Sequence, residues 1–207
     1  MKLTGMSGLR IVILAAGYSR RLGRAKALAR IHGICLLRRT TRVLAPFSAR
    51  TLIVVAPPRC PRYLHELRGL NARLVANPRR SSGLSGSVRR GLGAARWSAA
   101  TLIVPVDLAA LERADVARLL KRWRAAPRRI AARCIGARGG APLILPRRYY
   151  ALAAGITGDT GLRDLLQTIA PSDRVFVDMP SAAQDIDTPL DLQRARRTLR
   201  APTAVEV

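Results

Sequence analysis

The stretch Leu9 to Lys26, LRIVILAAGYSRRLGRAK, constrains this chain more than any other. From Leu9 to Ala15 it is almost wholly apolar and rich in branched residues, and its length suits a strand buried on both faces, as in a parallel sheet. It then changes character at once. Gly17, Ser19 and Gly23 make a loop, and Arg20, Arg21, Arg24 and Lys26 load that loop with positive charge. A buried strand that runs into a glycine-rich cationic loop places backbone N–H groups and fixed charges around phosphates.

Spacing excludes two phosphate loops. A P-loop needs four residues between its glycines and then Lys-Ser/Thr, whereas Gly17 and Gly23 are separated by five and followed by Arg24. The dinucleotide pattern G-x-G-x-x-G is absent too. The pattern present is L-A-A-G-x-S-x-R-x-G-x-x-K, at Leu14, Ala15, Ala16, Gly17, Ser19, Arg21, Gly23 and Lys26. It resembles the signature of Rossmann-like nucleotidyltransferases, in particular the MobA-like and molybdenum cofactor cytidylyltransferase group. Of the 37 basic residues only Lys2, Lys26 and Lys121 are lysine, and one of the three falls on the last position of the motif. A compact ammonium is not interchangeable with a guanidinium fork, so a Lys retained in so arginine-rich a chain suggests a point-charge role.

Length and patterning favour one domain over residues 1–207, with an ordered core of about 8–200 and no internal repeat. The 207 residues are 49% apolar, enough for a sizeable core. Apolar runs reach about seven residues, far short of the roughly twenty that span a bilayer. The short run after Arg10 serves better as a first strand than as an export signal, so a cytoplasmic location is expected. Cys35, Cys60 and Cys134 are too scattered for a disulfide frame or zinc site, and they suit a reducing compartment. The net charge of +25 raises the question of nucleic acid. Yet the arginines are spread through every segment, aromatics are only 4%, and GLSG from Gly83, a match to the backbone-clamp pattern, fixes only two of its four positions. Sequence-specific nucleic-acid binding is therefore not expected; nonspecific adhesion at low salt is.

Strands are expected over residues 51–56, 72–76, 101–106, 130–135, 142–145 and 174–179. Helical spacing covers 36–44, 63–68, 88–95, 112–123 and 160–169, with a last helix capped by Thr188 and opened by Pro189. This alternation predicts an α/β three-layer sandwich, a mostly parallel twisted sheet with helices on both faces.

Asp107 follows the apolar strand TLIVPV, where open α/β sheets bind ligands, and a hard carboxylate there suits Mg²⁺ against phosphates. A capping or turn role is the structural alternative. Asp185 and Asp187, in DIDTPLDL, alternate along an extended segment, so both could face one ion, although Asp187-Thr188-Pro189 is also a good helix start. The string resembles the D-I-D-T-P-E-D-L of the same superfamily, in which this region completes the metal site. NPRRSSGLSGSVRRGL, from Asn77, is similar to the segment that lines the nucleotide base in cytidylyltransferases of this group, which implies roles for Asn77, Gly83, Ser85 and Ser87. Gly140-Ala141-Pro142 and GDTGLRDLL, with Asp159, Gly161 and Arg163, resemble the acceptor-side elements; Arg163 as an ordinary surface arginine is the alternative.

The resemblance implies transfer of a nucleoside monophosphate from a triphosphate to a phosphorylated pterin, with release of pyrophosphate. Arg21, Lys26 and Asp107 would be catalytic, and Asp107, Asp185 and Asp187 would hold Mg²⁺, with Mn²⁺ as a substitute. Residues 14–17, 19, 21 and 26 would bind the nucleotide. LAAG, where guanylyltransferases favour LAGG, points to CTP over GTP. A molybdoenzyme or its maturation chaperone is an implied partner. A same-fold transferase acting on a sugar or alcohol phosphate, and a non-catalytic binder of a cofactor or nucleic acid, are the other readings. Five positions depart from the pattern: Val106 for glycine, Ala109 for proline, Leu190 for an acid, and Ile34-Cys35 for a basic residue and proline.

Overall fold

A computed structural model describes residues 8–135, 138–157 and 162–199. In chain order the strands are β1 (Leu9–Leu14), β2 (Arg30–Ile31), β3 (Ile34–Cys35), β4 (Leu52–Ala56), β5 (Ala72–Ala76), β6 (Ala100–Pro105), β7 (Ile130–Ile135), β8 (Arg138–Pro146) and β9 (Arg174–Asp178). The helices are α1 (Leu36–Leu44), α2 (Pro61–Glu66), α3 (Gly83–Ala94), α4 (Arg113–Ala125), α5 (Tyr150–Ala154), α6 (Leu162–Thr168) and α7 (Pro189–Thr198). Seven strands form one sheet in the order β5-β4-β1-β6-β8-β7-β9. Only β8 runs against the others, because it folds back directly on β7 and wedges between β7 and β6.

Alternation along β1 explains the layers. Leu9, Ile11, Ile13 and Ala15 enter one core with residues of α1, α4 and α7, including Leu37, Leu119 and Leu192. Val12, Leu14 and Ala16 enter a second core with residues of α3, α5 and α6, including Val88, Ala153 and Leu165. A strand whose two faces are both buried has to be apolar throughout, which is why β1 reads as a continuous hydrophobic run. The expected helix-sheet-helix sandwich is the observed one.

Several elements depart from those expected. Helix α3 begins at Gly83, five residues before the apolar spacing starts, since its first turns are built from glycine and serine. A Cβ on Gly86 would lie 3.0 Å from Ser82 Cβ, and one on Gly91 would lie 2.6 Å from Val12 Cγ1. This helix thus sits against β1 at a distance only glycine allows. The β2–β3 hairpin is tied by His32 and Gly33, both at positive φ, a turn that needs no recognisable motif beyond Gly33. Strand β8 is twice its expected length, because Gly139 and Gly140 dilute its hydrophobic signal; Gly139 lies under the Phe176 ring, where a Cβ would approach within 2.3 Å. Helix α5 was not apparent in the sequence, and α2 begins two residues early, with Pro61 in its first turn.

Candidate active site

The carboxyl ends of β1 and β6 lie side by side, with Leu14 in register with Pro105. The chain therefore delivers the glycine loop and Asp107 to the same edge of the sheet. A backbone bond from Val106 N–H to the Leu14 carbonyl (3.2 Å) extends that pairing one residue further. The third segment is attached directly: the Ile186 N–H donates to the Asp107 carbonyl at 3.0 Å. Thr188 and Asp191 then form a reciprocal cap on α7, and the Asp191 carboxylate also accepts from the Asp187 N–H at 3.1 Å. This fixes the backbone of Asp187 beside Asp107. Leu190, exposed in the same turn, takes no part in the cap, so its departure from the family pattern leaves the turn intact.

Within the loop, Ser19 adopts a left-handed conformation (φ 54°) and its hydroxyl accepts from the Lys26 N–H at 3.0 Å. Gly23, at φ 71°, closes the short turn Arg20–Leu22. The Lys26 side chain is thereby turned inward. Its Nζ donates to Asp107 Oδ2 at 2.8 Å and to Asp187 Oδ1 at 2.7 Å, while Arg21 Nη2 donates to Asp187 Oδ2 at 2.7 Å. Burial pulls the Lys26 ammonium down, but Asp107 and Asp187 outweigh it and hold the group above the ordinary lysine value. One ammonium thus ties the three distant segments together.

Around this bridge lies a cleft of about 460 Å³, lined by Leu14 to Arg21, Lys26, Gly83, Ser87, Asp107 and Asp187, together with Arg80 and Leu84. A second cleft of about 380 Å³ shares Asp107, Leu84 and Pro105 with it, and is lined further by Arg133, Gly140, Arg163 and Asp185. Asp187 lines the first cleft and Asp185 the second, with Asp107 common to both. Burial, then the neighbouring Asp107 charge, raises the Asp185 carboxyl above the ordinary value, against the opposing pull of Arg133.

Other expected residues stand further back. Asn77 is buried, donating to the Ser87 hydroxyl at 3.2 Å and accepting from the Arg79 N–H, so it braces the start of α3 and does not line either cleft. Ser85 is buried too, with its hydroxyl on the Ser82 carbonyl. Pro142 follows a cis peptide bond in β8 and lies outside both cleft walls, whereas its neighbours Gly140 and Ala141 line the second. Asp159 and Gly161 lie outside the described residues.

Val106 and Ala109 are buried, and Asp107 between them keeps its contact with Lys26, so neither substitution displaces the carboxylate. Cys35 caps α1: its Sγ accepts from the Arg38 N–H and donates to Glu66, and burial pushes the thiol up to about 11. It is a structural thiol and not a reactive one.

Two cleft residues were not singled out from the sequence. Arg80 Nε donates to the Ala16 carbonyl at 2.7 Å and its Nη2 to the Gly17 carbonyl at 2.9 Å, with the guanidinium 4.3 Å from the Tyr18 ring centroid. Arg133, buried on β7, donates to the Ala182 carbonyl and lies 3.8 Å from Asp185. For Arg133 a signal existed, a lone charge inside an apolar strand; for Arg80, one arginine among many, there was none.

The donor set suits a divalent cation. Mg²⁺ is held through one or two carboxylates plus substrate phosphates and water, not by an all-protein cage. Among the described residues no group of three or more His, Cys, Asp or Glu forms such a cage. Asp107 with Asp185 or Asp187 could offer hard oxygen ligands beside a cleft whose glycine floor leaves space at Gly17.

A doubly wound sheet with a glycine-rich cationic loop and carboxylates at its switch point belongs to the α/β folds that bind phosphate-bearing ligands there, nucleotidyltransferases among them. The family model for the MobA-like NTP transferase domain matches residues 11–175, and the chain belongs to that family. A protein of Chloroflexus aggregans described as a probable molybdenum cofactor guanylyltransferase is 37% identical over 116 residues, 51% of each chain. The match thus spans about half the length of that relative. A homologue of the Mycobacterium tuberculosis protein Rv0371c, from Mycobacterium sp. strain JC1, is 29% identical with a TM-score of 0.74, covering 93% of this chain and 97% of its own. A nucleotidyl transferase from Methanothermobacter shares the fold at a TM-score of 0.77 and 20% identity, with coverage of 92% and 96%. Among the described residues no helix is long and apolar enough to cross a membrane.

Proposed function

We propose that this chain transfers a nucleoside monophosphate from a triphosphate to a phosphorylated acceptor and releases pyrophosphate. The observation that carries the reading is the Lys26 ammonium, held between Asp107 and Asp187 where two clefts meet. The first cleft would take the triphosphate, with the backbone of Ala15 to Gly17 at the base and Arg21 and Lys26 at the phosphates. The second would take the acceptor, with Arg133, Arg163 and Gly140 along its wall.

An acceptor phosphate oxygen, already ionised at neutral pH, attacks the α-phosphorus. A P–O bond forms there as the bond from the α-phosphorus to the α,β-bridging oxygen breaks, and pyrophosphate leaves with that electron pair. No general base is required; the protein contributes alignment and neutralisation of charge. Mg²⁺ or Mn²⁺, held by Asp107 with Asp185 or Asp187, would supply electrostatic stabilisation of the phosphates. Lys26 and Arg21 would exchange their carboxylate contacts for phosphate oxygens as substrate enters, and Asp107 would be freed towards the metal.

The acceptor we favour is molybdopterin, on the motif resemblance and on the description of the Chloroflexus relative. A molybdoenzyme or its chaperone would then receive the product. The LAAG loop supports CTP, while that same relative's description supports GTP as the second reading. Three free thiols, one of them buried, are compatible with work in the cytoplasm.

Pyrophosphate release from CTP or GTP, with Mg²⁺ and a panel of molybdopterin, sugar phosphates and alcohol phosphates, tests the proposal. Release with one triphosphate and one class of acceptor is expected. No release with any pair would remove the activity and leave a nucleotide-binding protein.

A further inference from the structure

The two carbonyls that Arg80 holds belong to Ala16 and Gly17, in the loop that the proposed function places at the nucleotide's base. The guanidinium meets both, at 2.7 Å and 2.9 Å, and lies 4.3 Å from the Tyr18 ring centroid, with Arg20 at 5.3 Å from the same ring. A planar fork fixed by two hydrogen bonds and one aromatic ring is held far more firmly than an ordinary surface arginine. Ala16 is itself buried, and Gly17 presents open space where a Cβ would be, so this end of the cleft is backbone, with Arg80 clamped onto its acceptors.

Resting on that assignment of the cleft, we infer that Arg80 is a positioning residue that sets base choice: by taking one lone pair of each of the Ala16 and Gly17 carbonyls and offering its own N–H groups beside them, it disfavours guanine and admits cytosine. The chemistry is that of the bases' pairing edges. Guanine presents two adjacent donors, N1–H and the N2 amino group, which need acceptors. Cytosine presents one amino donor beside two acceptors, N3 and O2. Each carbonyl has two lone pairs and spends one on Arg80, so the clamp halves the acceptor capacity open to guanine's paired donors, while its unspent N–H groups suit cytosine's N3 and O2. A site that fails to satisfy buried polar groups of a ligand discriminates against it more strongly than one that only misfits its shape. The carboxylates lining the same cleft, Asp107 and Asp187, stand with Lys26 and Arg21 at the end assigned to the phosphates and metal, not at the base.

Arg80→Met keeps much of the apolar stem and removes every donor, freeing both carbonyls; Arg80→Lys keeps charge but lacks the fork that meets both at once. Dissociation constants of CTP and GTP, each with Mg²⁺ and without acceptor, are measured by calorimetry for the three proteins. The wild type is expected to bind CTP about tenfold or more tighter than GTP, a difference of about 1.4 kcal/mol. Arg80→Met should cut that ratio about tenfold by tightening GTP, and Arg80→Lys should fall between. A purely structural role would weaken both nucleotides equally and leave the ratio in place. An unchanged ratio in Arg80→Met, or a wild type that prefers GTP, overturns the inference while leaving the proposed transferase standing. A wild type that binds neither triphosphate overturns both.

Discussion

Replacing Lys26 by methionine removes the charge at the centre of the site and keeps most of the side chain's bulk. Both carboxylate oxygens lie within 2.8 Å of the ammonium, so they are no more than about 5.5 Å from each other. Two unit charges at that separation repel by about 3 kcal/mol at an effective dielectric of about 20, and by about 0.8 kcal/mol in water. The site sits between those limits, because Asp107 and Asp187 are 23% and 34% exposed and Arg21 still neutralises Asp187. A net loss of about 1–2 kcal/mol follows, which for a domain of this size lowers Tm by about 2–8 °C. Divalent metal should restore part of the loss, so Mg²⁺ should raise the variant's Tm more than the wild type's. Turnover should fall further, by about 10²–10³-fold, the scale seen when one charge-stabilising donor is removed from a reacting centre. Differential scanning fluorimetry with and without Mg²⁺, and a coupled pyrophosphate assay, read the two effects. The pH dependence has a definite sign. The ammonium is held above its ordinary value in the fold, so the bridge's contribution is complete below about 10.5 and is lost only as pH rises through the raised value. The Tm gap between the two proteins should therefore be flat from about pH 6 up to about 10 and close only as pH rises beyond about 10.5. A variant that melts with the wild type, gains nothing extra from Mg²⁺ and releases pyrophosphate normally would refute the reasoning.

Two further substitutions test separate parts of the account. Asp185→Asn removes a carboxyl that burial and Asp107 push upward, so in metal-free buffer near neutral pH it should raise Tm, and it should weaken Mn²⁺ binding as followed by electron paramagnetic resonance; lower Tm with unaltered Mn²⁺ affinity would contradict this. Gly91→Ala forces a Cβ to within 2.6 Å of Val12 on β1 and should cost about 1–3 kcal/mol by chemical denaturation; a neutral result would show that α3 can move off the sheet freely.

The sequence disclosed what rests on strong local signals. Buried strands announce themselves by composition, so β1, β4, β5, β6 and β7 were legible to within a residue or two, as were α1, α4 and the Thr188–Pro189 start of α7. Motif spacing also singled out Lys26, Asp107 and Asp187 before their convergence was visible. What was hidden depends on partners remote in the chain or on residues without side-chain signal. The first turns of α3 are glycine and serine, whose helical state is set by contact with β1 and by Asn77. Spacing placed Asp185 and Asp187 together but gave no hint that one borders the first cleft and the other the second, with Asp107 common to both. The role of Arg80 depends on two carbonyls more than sixty residues away in the chain, which no local pattern could reveal.

The most direct test is a crystal structure with CTP and Mn²⁺, read in an anomalous difference map. The account predicts a manganese peak on Asp107, shared with Asp185 or Asp187, and triphosphate density against Arg21 and Lys26. Manganese bound elsewhere, or a nucleotide lying outside the cleft between the glycine loop and Asp107, would contradict it.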